Sequence, residues 1–184
     1  MRDSARPRAR GQLPSTPGLG APLAMELRDY QSEVIEKVLA GIEAGRKSLL
    51  VGLFTGAGKT VIFVELANRL PGRTLIIAPL RELVWQAADK VRTIVGIDPA
   101  LEMAEYRSNE DEWWSPKIVV ACKQTLARGR YKKFNDIQLV IVDEAHMQYS
   151  PKCREMFEYF NDQGATVVGF TATPFRMDGE AMLA

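Results

Sequence analysis

Two stretches of this 184-residue chain hold residue types that could handle a polyphosphate. The first is GLFTGAGKTVIF, residues 52 to 63, where Thr55-Gly56-Ala57-Gly58-Lys59-Thr60 stands between an apolar run and a helical pattern. Phosphate binding needs glycine where the backbone must come close to the anion, and main-chain N–H groups aimed at it from a helix N-terminus. Gly56 and Gly58 supply the first, and Lys59 would reach the β- and γ-phosphates while Thr60 holds Mg²⁺. The usual frame puts a glycine at position 53, where this chain has Leu53. That position falls at the strand end, where a side chain can turn into the core, so the departure costs little. The second stretch is LVIV followed by Asp143-Glu144-Ala145-His146. Two adjacent acids delivered by an apolar strand lose hydration unless they face a cation. Asp143 would hold the Mg²⁺ shell and Glu144 would polarise an attacking water, the division of labour that phosphoryl transfer requires. A solvated loop would explain the acid pair alone; the phosphate loop upstream makes that reading less economical.

These residues need a scaffold that brings strand ends together, and the chain is patterned for one. Residues 1–24 are rich in Pro, Gly, Ser and Arg with almost nothing to bury, so they should form a disordered tail. It reads as an upstream extension or a tag preceding Met25. Its arginines suit an organelle transit peptide, but repeated prolines deny it an amphipathic helix, and it lacks the apolar core of a secretory signal. Residues 25–184 form the second unit, a single domain. Val34, Ile35, Val38, Leu39 and Ile42 make one helical stripe, with Asp29 as a plausible N-cap and Gly45 as a stop. Five short apolar runs follow: LLVGLF, TLIIA, IVVAC, LVIV and TVVGF. None alternates polar with apolar, which is the pattern of strands buried on both faces of a parallel sheet. Helical patterns lie between them, notably at residues 80–91 and 151–162, the latter with Pro151 in its first turn. The fold class is therefore α/β, a mostly parallel sheet with helices on both faces. Ligands of such sheets gather at the carboxyl ends of the strands, where the two chemical motifs fall.

In their order along the chain, these and three further strings resemble the superfamily 2 helicases and translocases. The likeness is to the first RecA-like lobe of DEAD/DEAH-type members, over residues 26 to about 178. That superfamily writes its P-loop with a small or apolar residue where Leu53 stands. LRDYQ, residues 27 to 31, is similar to the adenine-reading Q motif, which implies Gln31 on the base edge with Arg28 stacking near it. APLRELVWQ resembles motif Ia and QTLAR motif Ib, which implies nucleic-acid backbone contacts from Pro79, Arg81, Gln124 and Thr125. DEAH matches motif II. TATPFR, residues 171 to 176, matches motif III, whose Thr171 and Thr173 would link nucleotide state to strand engagement. TATPFRMDG is closer to the restriction-helicase and phage-helicase types than to the RNA-splicing DEAH type. The resemblance implies ATP and Mg²⁺ as cofactors, DNA or RNA as partner, and a second RecA-like lobe carrying the arginine finger. It places Glu144, Lys59 and His146 in the catalytic set, His146 as a positioned hydrogen-bond partner between nucleotide and motif III. The second lobe is expected outside these residues, so the chain alone should bind ATP, hydrolyse it weakly and not unwind.

Several of these residues have blander explanations. Gln31 at a helix start would ordinarily be solvated, Arg81 would sit exposed on a helix turn, and Thr125 would cap the helix beginning there. Trp113 and Trp114 lie among Glu110, Asp111 and Glu112, which repel phosphate, so local packing is favoured over base stacking. Four arginines against one acid make the tail basic and leave residues 25–184 slightly acidic; any nucleic-acid contact must be local. No apolar run approaches the roughly 18 residues of a membrane helix. Cys122 and Cys153 sit in apolar segments and should be reduced, buried thiols of a cytoplasmic protein. No zinc-ligand spacing and no Ser/His/Asp arrangement is present. Two other functions stay open: a nucleotide-gated binding or regulatory module without turnover, and a P-loop ATPase unrelated to nucleic acid.

Overall fold

A computed structural model describes residues 26–106, 108, 116–148 and 150–172. Thr173, Trp113 and Trp114 lie outside the described residues. Helix α1 (Asp29–Glu43) precedes strand β1 (Ser48–Gly52), followed by α2 (Lys59–Arg69), β2 (Arg73–Ala78), α3 (Arg81–Val95), β3 (Ala100–Glu102), β4 (Ile118–Cys122), α4 (Lys123–Leu126), β5 (Ile137–Val142), α5 (Pro151–Asp162) and β6 (Thr166–Thr171). Short 3-10 turns occupy Arg130–Lys133 and Ala145–Gln148. The strands form one parallel sheet in the order β1-β6-β5-β2-β4-β3.

Each strand of the sheet's middle feeds two cores, because successive side chains point to opposite faces. Ile76 of β2, Val120 of β4 and Ile141 of β5 pack with Ile35, Phe63, Val84 and Val91 of α1, α2 and α3. Leu75 and Ile77, Val119 and Val140 pack on the other face with Met156 and Phe160 of α5. The register of β5 on β2 steps from Ile137 to Leu139 between Arg73 and Thr74. The extra residue, Gln138, moves Ile137 to the α5 face while Leu139 stays on the other.

Four local expectations need correction. Among the described residues the sheet has six strands, not five; β3 is three residues at the edge, too short to leave an apolar run in sequence. Strand β1 stops at Gly52, so Phe54 is not part of it and stands 66% exposed. Arg28, not Asp29, is the N-cap of α1, because the Gln31 side chain accepts from the Arg28 N–H at 3.0 Å and helical geometry begins one residue later. Thr125 is the third residue of α4 and buried, so it caps nothing. Gly45 does follow the last turn of α1, with φ at 78°, and both cysteines are free and buried.

Candidate active site

The strand order sets the carboxyl ends of β1, β6 and β5 side by side, with β6 in the middle. Leu53, just past β1, donates its N–H to the Thr171 carbonyl at 2.9 Å and packs against the core. The chain then turns, the Ala57 N–H reaching the Phe54 carbonyl at 3.2 Å, and enters α2 through Gly58. Gly56 and Gly58 hold φ values of 85° and 72°, in the left-handed region that glycine enters without a Cβ penalty. At Gly58 space forbids a side chain as well: a Cβ there would stand 2.6 Å from Gln31 Nε2. The first N–H groups of α2 and the side chains of Lys59 and Thr60 thus emerge at a helix N-terminus, where the macrodipole favours an anion.

Gln31 is not the solvated side chain its helix-start position suggests. It is 6% exposed and its amide bridges two backbones, accepting from Arg28 and donating from Nε2 to the Ala57 carbonyl at 3.2 Å. Tyr30 donates its hydroxyl to that same carbonyl at 2.7 Å, and an Arg28 guanidinium N–H approaches the Tyr30 oxygen at 3.4 Å. Tyr30 is a residue that sequence reasoning passed over. A tyrosine beside a motif glutamine has no local signature of loop contact, since its partner is 27 residues away.

Lys59 reaches across from α2 to the acid pair, its ammonium 3.0 Å from Glu144 Oε1. Glu144 has φ at 47°, a left-handed conformation that costs an L-residue about 1 to 2 kcal/mol. Non-glycine residues held there cluster at functional sites. The Glu144 N–H donates to Asp143 Oδ1 at 3.0 Å. His146, in the 3-10 turn, lies with Nδ1 3.0 Å from Thr171 Oγ1 and 3.3 Å from Glu144 Oε2. Burial, and then the neighbouring Glu144 charge, push the Asp143 carboxyl above its ordinary value, against weaker help from the Glu144 N–H, Lys59 and His146. A carboxylate so placed gains from a nearby cation.

A magnesium nucleotide fits these residues. Gly58 lets the loop pack directly on Gln31, where a Cβ would stand 2.6 Å from Nε2, and burial and the Glu144 charge leave the Asp143 carboxyl raised despite its other neighbours. Among the described residues no group of three His, Cys, Asp or Glu side chains could cage a metal. Magnesium usually takes only one or two protein ligands and leaves the rest to water and phosphate, so Thr60 and Asp143 suffice.

The remaining sequence-selected residues lie at the ends of β2 and β4, on the other half of the same edge. Pro79 is buried, and Arg81 is exposed and paired with Glu105. Gln124 is exposed and Thr125 is buried. Thr55 and Gly56 are exposed at the tip of the phosphate loop. The structure therefore gathers Gln31, Lys59, Glu144, His146 and Thr171 into one cluster and leaves Pro79, Arg81, Gln124 and Thr125 beside it.

Among the described residues no helix is long and apolar enough to cross a membrane. Known proteins similar to this chain are named as helicases and translocases. The Saccharomyces cerevisiae protein IRC3, whose name designates it an ATP-dependent helicase, is 34% identical over 172 residues, covering 85% of this chain and 24% of the relative. A protein of Sulfurisphaera tokodaii named DNA 3'-5' translocase XPB2 is 30% identical over 157 residues, covering 85% of this chain and 33% of the relative. The chain thus spans a quarter to a third of the length of these relatives. In solved structures, the Pyrococcus furiosus Hef helicase domain superposes with a TM-score of 0.64 at 26% identity, over 82% of this chain and 34% of that one. The UvsW helicase of bacteriophage T4 shares the fold, with a TM-score of 0.65 at 22% identity over 82% of this chain and 54% of that one. Residues 24–176 match the family model for the type III restriction enzyme res subunit. The chain belongs to that family, as a RecA-like lobe of the helicase superfamily 2 type.

Proposed function

We propose that the chain is the ATP-binding and Mg²⁺-dependent ATP-hydrolysing lobe of a nucleic-acid helicase or translocase. The observation that carries this is the contact of Lys59 with Glu144, which joins the loop before α2 to the acid pair across β6. Gln31 supports adenine as the base. Its amide oxygen and nitrogen each spend one hydrogen bond on the backbone. That leaves one acceptor and one donor, the pair with which an amide reads the N6 and N7 edge of adenine. The first N–H groups of α2, Lys59 and Thr60 hold the triphosphate, with Thr55, Gly56, Ala57 and Gly58 forming the loop. Thr60 and Asp143 hold magnesium, which neutralises the phosphate charge when bound. Lys59 leaves Glu144 for the phosphates, which frees the Glu144 carboxylate to take a proton from the attacking water. His146 positions Glu144 against Thr171.

The nucleic-acid partner, DNA or RNA, would lie along the ends of β2 and β4, near Arg81 and Gln124. A second RecA-like lobe would complete the site, since an arginine finger is worth about 10³ to 10⁵ in rate. The lone lobe is then expected to bind ATP, hydrolyse it slowly and not unwind; it would work in the cytoplasm, or wherever its nucleic acid is. The test is nucleic-acid-stimulated ATPase of the protein carrying both lobes, against its Glu144→Gln variant. Loss of about 10² to 10⁴ in rate is expected for removal of the base. Equal phosphate release from both would leave a nucleotide-gated module without turnover. A gel shift in which nucleotide never alters single-strand binding would point to an ATPase unrelated to nucleic acid.

A further inference from the structure

The strands that deliver the acid pair and Gln124 are not neighbours in the sheet. Strand β2 lies between β5, which delivers the acids, and β4, which delivers Gln124 and Thr125. Their ends are two strand spacings apart, about 9 to 10 Å. The Lys123 side chain crosses that gap. Lys123, the first residue of α4, donates from its ammonium to the Met147 carbonyl at 2.5 Å. That carbonyl belongs to the 3-10 turn after the acid pair, and the Met147 N–H closes the turn on the Glu144 carbonyl at 2.8 Å. Glu144 is the residue held left-handed and paired with Lys59.

We infer that Lys123 is a positioning residue that couples the nucleotide site to the strand-binding segment. When Lys59 exchanges Glu144 for phosphate, Glu144 loses one of its two side-chain contacts, keeping the one to His146, and its left-handed backbone can relax. The turn closed on Glu144 moves with it, and the Met147 carbonyl carries that movement to Lys123 and so to the adjoining Gln124. Coupling needs such a differential contact, because a ligand shifts an equilibrium only by its unequal affinity for two states. Stability does not require this bond. A charge-to-carbonyl bond at an exposed site exchanges for water at little net cost. The inference rests on the reading of this chain as an ATP-binding lobe that contacts nucleic acid.

The test is the affinity of fluorescein-labelled dT12 and U12 oligonucleotides, measured by anisotropy with and without Mg²⁺ and the non-hydrolysable analogue AMP-PNP. The unaltered chain should show a nucleotide effect of about 5- to 150-fold, and by reciprocity the oligonucleotide should change AMP-PNP affinity by the same factor. In Lys123→Met that factor should fall to within about twofold, while AMP-PNP affinity without oligonucleotide stays unchanged. Lys123→Arg, which keeps a cationic donor, should retain the factor. A coupling factor preserved in Lys123→Met overturns the inference alone. So does an equal drop in oligonucleotide affinity with and without nucleotide, which would make Lys123 a phosphate contact. Absence of any nucleotide effect in the unaltered chain overturns the inference together with the reading beneath it.

Discussion

Glu102 ends the edge strand β3 and Asp143 follows the inner strand β5, so both carboxylates stand at the same edge of one sheet, in opposite electrostatic circumstances. Glu102 is fully buried and saturated. It accepts from Lys133 at 2.6 Å, Arg130 at 2.9 Å, and the Ser108 N–H and hydroxyl at 2.9 and 3.0 Å. Burial is the largest single influence on it and opposes ionisation, yet these donors together hold its carboxyl below the ordinary value. Asp143 is half-buried, and its carboxyl is pushed up by burial first and then by the adjoining Glu144 charge. A buried acid with every lone pair answered is part of the scaffold. One held at a cost gains from a cation, and acids raised in this way are functional candidates for that reason.

Removing each acid should therefore have opposite consequences. Glu102→Ala leaves Arg130 and Lys133 facing one another over a buried gap, and breaking such a pair costs about 3 to 5 kcal/mol. Urea unfolding should show this as a shift in midpoint at unchanged slope. A loss below about 1 kcal/mol would reduce the cluster to an ordinary surface pairing. Asp143→Asn removes a charge that the fold tolerates badly, so the chain should be at least as stable as the unaltered one. Its magnesium-dependent ATP affinity, in contrast, should fall by at least about tenfold, the scale of lost metal-site interactions. Thermal shifts with ATP, measured with magnesium and with EDTA, separate the two effects. A destabilised Asp143→Asn chain that still responds to magnesium would erase the comparison.

The difference between these acids also marks what could be read without coordinates. The turn from β1 into α2 was legible because its requirements are local: glycine at two left-handed positions, then a lysine and a threonine at a helix start. Helix α5 was legible to the residue, since Pro151 marks its first turn and Met156 and Phe160 its buried face. The Glu102 cluster was not, because its strand is three residues long and its cations are 28 and 31 residues away. Nor could the contact of His146 with Thr171 be placed by spacing, as it depends on β6 inserting between β1 and β5. Parallel strands can be ordered in many ways without changing their apolar pattern. The blander alternatives, a solvated Gln31 and a capping Thr125, do not hold, because both side chains are buried.

A smaller effect sharpens the same contrast through pH. The folded-state value of Glu102 is depressed, so its ionised form contributes stability above the ordinary carboxylate value, and that contribution is lost as pH falls toward the depressed one. Glu102→Gln, already unable to ionise, should show a flatter fall in Tm between about pH 6 and pH 3. Asp143 runs the other way: its folded-state value is raised, so the penalty of its charge lifts as pH falls through that value. Asp143→Asn should accordingly steepen the acid limb. Parallel limbs in all three proteins would mean that neither acid governs it.

The smallest expected effect concerns a neutral group. The Ala57 carbonyl has two lone pairs, and Tyr30 and Gln31 each donate to it. Tyr30→Phe removes the shorter of those bonds and leaves Gln31 in place, so the loop keeps its conformation but is held by one donor. A single neutral hydrogen bond nets about 1 kcal/mol, or roughly a fivefold loss of nucleotide affinity. Because the Tyr30 hydroxyl bonds the loop and not the base, the loss should be equal for ATP and GTP in fluorescence titrations. Gln31→Ala removes the other donor and, on the adenine reading, the base contact as well, so it should narrow the preference for ATP. If Tyr30→Phe altered the ATP-to-GTP ratio instead, the hydroxyl would have to act at the base. Loop positioning and base selection would then be one function of the LRDYQ segment, not two.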